Sequence, residues 1–361
     1  MATLTEYALI LAEFSLLTGP TLTEVGTSKS NLLLGTSGDD VISGDANSIT
    51  LIDVTSHFKV GNDTIFGNGG MDIIYGDTRF LSAAGDGAGS KVFLGNDSLN
   101  ASGVLIGDAS FFGMGNAQHY SISMGNDLLT GTGFLLGDSG LNILINSSSN
   151  VLTYGNDTID AGQAVTSNTI MGDTLHFIID ATSHNNLFYM GNDILMGGSG
   201  GDVLGGDAAF LRIQGSGNIF ALGNDSIHGG MGNDTISPDL GVAPDIAAGN
   251  TVVGGNDTIW GGGGTDSFFF TMDPHVPLGH DIIMDFEAGE TLQFSGVVDA
   301  GASGLADDFD ANLAFSVADN GHDVTMSFGP DSQVVLAGMG NGLLQSFEDL
   351  MAAGVNMTTV A

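Results

Sequence analysis

From about residue 31 to residue 272 the chain alternates short apolar runs with clusters of glycine, asparagine and aspartate. One tripeptide, Gly-Asn-Asp, punctuates this pattern eight times. Seven copies begin at Gly61, Gly95, Gly125, Gly155, Gly191, Gly223 and Gly255, a spacing of 30 to 36 residues. The eighth begins at Gly232, inside one unit. In each unit the aspartate leads into a short apolar strand, as in Asp63-Thr64-Ile65-Phe66-Gly67. A second strand usually ends in Gly-Asp, at Asp77, Asp108, Asp138, Asp173 and Asp207, with Asp45 in the same role near the start. A longer segment then returns to the next tripeptide. Its last residues alternate with period two, the mark of a half-buried strand. The apolar pairs are Phe58/Val60, Val92/Leu94, Ile122/Met124, Leu152/Tyr154, Phe188/Met190 and Phe220/Leu222; the last unit has Gly254 where an apolar residue is expected.

Strand and turn at a fixed period predict an all-β fold, a parallel β-solenoid of stacked rungs. A single rung cannot bury its apolar face, so stacking is obligatory. Stacking places each Ile, Leu or Val in an interior ladder and sets the glycine-rich turns in columns along the outside. One Gly-Asn-Asp alone is an ordinary hairpin turn. Eight copies in register, in an acidic chain, are not.

The charge is the second constraint. Lysine and arginine number 5 against 42 acidic residues, a formal net charge of −37. A compact chain so charged repels itself unless cations bind. Nucleic acid and anionic membrane surfaces are excluded as partners by the same repulsion. Hydrophobic residues make up 42% of the chain, so neutralisation permits folding. Glycine, at 58 residues, is about twice as common as usual and fits many tight turns. No cysteine is present, which removes disulfides and thiolate metal sites. No stretch is long and apolar enough to span a bilayer as a helix.

Several turns fit a longer pattern, Gly-Gly-x-Gly-x-Asp before an apolar strand: GGSGGDVL at 197–204, GGMGNDTI at 229–236 and GGGGTDSF at 261–268. GNGGMDII at 67–74 and GTSGDDVI at 35–42 are looser versions. Over residues 31–272 the chain resembles the RTX, or haemolysin-type, calcium-binding repeat family. The resemblance implies a β-roll of calcium-binding rungs holding several Ca²⁺ ions. Carried over by position, the carboxylate ligands are Asp40, Asp63, Asp72, Asp97, Asp127, Asp157, Asp193, Asp202, Asp225, Asp234, Asp257 and Asp266. The preceding asparagines Asn62, Asn96, Asn126, Asn156, Asn192, Asn224, Asn233 and Asn256 are candidates for further oxygens. The Gly-Asp residues Asp45, Asp77, Asp108, Asp138, Asp173 and Asp207 are either ligands or strand-ending turns. Calcium takes six to eight oxygen ligands, which glycine turns and aspartate can supply. The pattern departs from the family in one respect: long return segments interrupt the usual run of consecutive nine-residue units.

Three regions follow: an apolar segment at 1–30, the repeats at 31–272, and a β-rich cap at 273–361. Residues 5–17 read as a cap or as a strand docking on a neighbour. HDIIMDFEAGETLQFSG at 280–296 resembles the module that ends such arrays in type I secreted proteins, implying an uncleaved signal for a type I exporter. Strands are expected at 324–328 and 333–336 and a helix at 343–353. No basic n-region precedes the N-terminal apolar run, so a cleaved signal peptide is not expected.

No catalytic centre emerges. A His-Glu-x-x-His zinc motif is absent, and the eight histidines are scattered. GGSGG at 197–201 formally matches a nucleophile elbow, but Ser199 lies inside an acidic turn. The expected function is that of a secreted structural protein, not an enzyme. It folds on calcium and assembles with copies of itself in a surface layer, filament or biofilm matrix. The alternative is a calcium-dependent adhesin or carbohydrate-binding module whose partners are cell-surface or matrix glycans.

Overall fold

The computed structural model describes residues 24–54, 57–162, 165–273, 276–295 and 316–360. The apolar run of residues 5–17, with its two readings as cap or docking strand, lies outside them. Among the described residues the fold is a parallel β-solenoid built from three sheets, with one short helix near the C-terminal end.

One rung shows the plan. Strands Thr64–Phe66 and Asp72–Tyr75 form two arms of the first sheet. Thr78–Asp86 belongs to the second sheet and Val92–Phe93 to the third, and the chain then enters the next Gly-Asn-Asp at Gly95. The return segment therefore carries two strands. Only the later one has the period-two signature on which the sequence reading relied.

Parallel register stacks identical positions. On the first arm Leu33, Ile65, Leu99, Leu129, Ile159, Leu195, Ile227, Ile259 and Ile283 form one buried ladder. On the second arm Ile42, Ile74, Leu105, Leu135, Ile170, Leu204, Ile236, Phe268 and Leu292 form another. The two ladders share one core. The second and third sheets enclose a separate core. There Phe188 stacks on Phe220 at 4.3 Å, and Phe177 meets both edge-on. Each fully buried side chain of this size contributes about 1.5–3 kcal/mol.

The parallel ladder runs on past residue 272. Thr258 and Ile259 pair with Ile282 and Ile283, and Ser267–Thr271 pairs with Thr291–Ser295. Gly254 interrupts the third-sheet pattern for a reason visible here: a Cβ would run into Pro277 O and Gly279 N. Strands Ser316–Asp319, Val324–Gly329 and Ser332–Leu336 pair antiparallel and close this end. The helix is Phe347–Ala352, shorter than expected. Ser346 caps it by accepting from the Asp349 N–H. The backbone N–H groups of residues 341–344 are held instead by one Asp319 carboxylate oxygen.

Candidate metal centres

Three columns of carboxylates run along the stack. The first holds the Gly-Asn-Asp aspartates Asp63, Asp97, Asp127, Asp157, Asp193, Asp225 and Asp257, all buried. They do not line the outside, as the spacing suggested. They sit at the waist between the two cores, where the chain crosses from one to the other. Each backbone N–H donates to the Oδ1 of the aspartate one rung on: Asp63 to Asp97 and Asp127 to Asp157 at 2.6 Å, Asp193 to Asp225 at 2.7 Å. The Oδ2 atoms of all seven are buried with no hydrogen-bond partner. For the first six, from Asp63 to Asp225, space exists because the facing residue is glycine. A Cβ at Gly107 would overlap Asp127 Oδ2, and one at Gly137 would overlap Asp157 Oδ2.

The second column holds Asp45, Asp77, Asp108, Asp138, Asp173 and Asp207, also buried. Each accepts from the glycine that opens the Gly-Asn-Asp at the end of the same rung. Gly95 N–H donates to Asp77 at 2.9 Å, Gly125 to Asp108 at 3.0 Å and Gly223 to Asp207 at 2.6 Å. These residues therefore face the first column. The sequence leaves them open between ligands and strand ends; the structure places them beside the waist carboxylates.

The third column occupies the outer turns. Asp40, Asp72, Asp202, Asp234 and Asp266 are linked by the same bond, as from Asp202 N–H to Asp234 Oδ1 at 2.7 Å. The Oδ2 atoms of Asp72, Asp202, Asp234 and Asp266 are buried without a partner. This column is broken in the middle. Gly103, Gly133 and Asn168 hold the places between Asp72 and Asp202. There the two arms merge into single strands, Ser98–Ile106 and Leu128–Leu136.

The asparagines go elsewhere. Asn126, Asn156, Asn192, Asn224 and Asn256 are exposed and form a ladder on the outer surface. Asn156 N–H donates to Asn126 Oδ1 at 2.7 Å, and the step repeats to Asn256. Asn233 Oδ1 accepts from Thr265 N–H. Asn62 and Asn96 also face solvent. The structure does not bring these amides to the carboxylates.

Sequence reasoning passed over Asp239 and Asp281. One oxygen each of Asp239, Asp257 and Asp281 lies within 4.8 Å of the others. Pro238 replaces the glycine that would have marked Asp239, yet Asp239 follows Asp207 by 32 residues, one full rung.

Crowding has an electrostatic consequence. Burial, then neighbouring carboxylates, pushes Asp127, Asp138, Asp207 and Asp225 well above the ordinary carboxylate range. Burial raises Asp63, Asp108 and Asp234 to about 6 and Asp257 to about 7. Such columns need protons or cations. Orphaned carboxylate oxygens in glycine-lined spaces suit a hard divalent ion with oxygen ligands. The first and third columns therefore fit calcium.

The described histidines are dispersed. His119 pairs with exposed Asp86, His322 with Asp323, and His228 stacks on Trp260. Ser199 is exposed in its turn. No helix among the described residues is long and apolar enough to cross a membrane.

A family model described as RTX calcium-binding nonapeptide repeat (4 copies) matches residues 25–48, 60–78, 190–208, 222–242 and 253–270. No curated protein matches the chain. Among solved structures, the extracellular lipase LipA from Serratia marcescens is similar at 17% identity and a TM-score of 0.20, over 60% of this chain. The match spans 40% of that lipase. The matched segments hold the column aspartates at the two ends of the stack, such as Asp63, Asp72, Asp225 and Asp234, while Asp97, Asp127 and Asp157 lie between them. At the waist, Gly76-Asp77 and Gly95-Asn96-Asp97 flank the excursion 78–94 through the second and third sheets. The acidic turns within these five segments are similar to RTX calcium-binding nonapeptide repeats.

Proposed function

We propose that this is a secreted structural protein without a catalytic centre, which folds as calcium enters its acidic columns and then assembles with copies of itself. The observation that carries the reading is the unbroken waist column, whose seven buried Oδ2 atoms have no hydrogen-bond partner. Extracellular calcium sites work at about 10⁻⁴–10⁻³ M, far above cytosolic levels. The chain therefore leaves the cell unfolded, through a type I exporter, and metal binding becomes folding free energy outside. The acidic composition, with few basic residues to bind a polyanion, supports a scaffold over a polysaccharide-processing enzyme. The rung-one strands Ala46–Ile52 and Phe58–Lys59 are edge strands of their sheets, and such edges favour pairing between molecules.

The test is circular dichroism and electron microscopy of the full chain in chelator and in excess calcium. Calcium-induced β-structure followed by ordered polymers supports the reading. β-structure already complete in chelator at neutral pH removes the folding part, and folded monomers in calcium remove the assembly part. One feature favours the adhesin alternative: His228 and Trp260 stack in parallel at 4.1 Å on an outward position, a flat platform of the kind sugars use. Calcium-dependent binding on a glycan array, lost in Trp260→Ala, would select that reading.

A further inference from the structure

The last waist position differs from all the others. Asp239 ends the second arm of its rung, Asp257 belongs to the final Gly-Asn-Asp of the repeats, and Asp281 lies in strand Gly279–Ile283 of the C-terminal segment. All three are buried, at 6%, 1% and 0% exposure. Each is fixed by a backbone donor on one oxygen. Gly255 N–H donates to Asp239 Oδ1 at 2.9 Å, Asp225 N–H to Asp257 Oδ1 at 2.7 Å, and Asp257 N–H to Asp281 Oδ1 at 3.0 Å. The Oδ2 atoms of Asp257 and Asp281 remain buried and unpartnered. Among the described residues this is the one place where three such carboxylates converge within 4.8 Å.

The chain's spacing explains the convergence. Asp257 and Asp281 are 24 residues apart, against 30 to 36 between earlier waist aspartates. The two-strand excursion is missing from this last turn, and a short connection after Thr271 leads straight to Gly279. Three carboxylates from two parts of the molecule thus meet at the seam between repeats and cap.

We propose that Asp239, Asp257 and Asp281 bind one calcium-sized divalent cation that staples residues 279–295 to the last repeat. The proposal rests on the calcium reading of the repeats but adds a site that joins the last repeat aspartates to Asp281, outside the matched repeats. A hard ion suits three carboxylates. Magnesium keeps several of its waters, whereas calcium tolerates a crowded, irregular shell of protein oxygens, so a buried seam of carboxylates favours calcium. The consequence is that ordering of the C-terminal segment is coupled to metal at its own site, separately from the columns behind it.

The experiment uses the full chain and calcium itself. Calcium stoichiometry is measured by equilibrium dialysis for the wild type, Asp281→Asn, Asp239→Asn and the surface control Asp245→Asn. Hydrogen exchange of residues 279–295 is followed against calcium, with residues 98–106 as an internal reference for the solenoid. Asparagine preserves the Oδ1 acceptor, so the backbone bonds persist. The expected result is one calcium fewer in each seam variant, none lost in the control, and protection of 279–295 lost at calcium levels that still protect 98–106. Unchanged stoichiometry and unchanged protection in both seam variants would overturn the staple while leaving the repeats as calcium sites. A wild type that takes up no calcium would overturn the repeat reading as well.

Discussion

Asp108 offers the sharpest measurement of what the buried columns cost. Its side chain is fully buried, and burial holds its carboxyl at about 6 against an ordinary 3.8. At 1.36 kcal/mol per pK unit, that difference is worth about 3 kcal/mol. The folded value lies above the unfolded one, so the folded chain binds the proton more tightly. Stability is therefore intact below about pH 3.8 and is lost as pH rises through about 6. At neutral pH without a cation, the whole of that cost falls on the folded state. Asp108→Asn removes the charge and keeps an acceptor for the Gly125 N–H at 3.0 Å. In chelator the variant should be more stable than wild type by about 3 kcal/mol at pH 7.5, with the difference fading below pH 4. In excess calcium the advantage should vanish, and reverse if Asp108 touches an ion. Urea denaturation followed by circular dichroism reads both arms. If the chelated wild type is unfolded at neutral pH, the same comparison is made as a shift in the pH midpoint of folding. A variant no more stable than wild type in chelator at neutral pH would refute the claim that uncompensated carboxylate burial limits the metal-free fold.

The remaining predictions use the same columns. Acidification in chelator should restore β-structure, because Asp63, Asp234 and Asp257 sit at about 6 to 7; a circular dichroism signal that stays flat from pH 7 to pH 4 would contradict this. Gly137→Ala should abolish folding or cost more than about 4 kcal/mol, since its Cβ would overlap Asp157 Oδ2 and Gly172 O. Gly115→Ala, with open space at the Cβ position, should change the melting temperature little. Asn192→Ala should lower stability by about 1 kcal/mol, by removing the exposed bonds that its amide accepts from Asn224 N–H and Asn224 Nδ2 and donates to Asn156 Oδ1, without changing calcium stoichiometry.

Much of this architecture can be read from spacing. The recurring apolar residue two positions after each waist aspartate, such as Ile65 or Leu129, predicts an inward ladder, and the register confirms it. Phe188 and Phe220 predict the third sheet in the same way. The second sheet is harder to see. Its strand Thr78–Asp86 mixes Arg79, Ser82 and two alanines with a single large inward residue, Leu81, so no clean period appears. Nor can residue type reveal which way an aspartate faces. Burial of Asp97 and exposure of Asn96 follow from the glycine facing Asp97 across the rung, a contact that exists only after stacking. Asp239 is hidden for a simpler cause: the flag for that position was glycine, and proline stands there.

The break in the outer column separates two jobs that the repeats perform. At Gly103 and Gly133 the outer turn carries no carboxylate, and the two arms join into single nine-residue strands. The backbone ladder is complete across this stretch, with Ser98–Ile106 paired residue for residue to Leu128–Leu136. Two rungs thus stack in register without acidic outer turns. The waist has no such interruption: every rung from Asp63 to Asp257 keeps its aspartate. The cores on either side of the waist are separate clusters, so the waist is where one rung holds its two halves together. Neutralising an outer aspartate, as in Asp72→Asn, should loosen its own turn and leave the rest of the solenoid protected from hydrogen exchange. Neutralising Asp127 should raise the calcium needed to fold the whole stack. Equal, local effects from both variants would mean that the waist is no more than another row of turns.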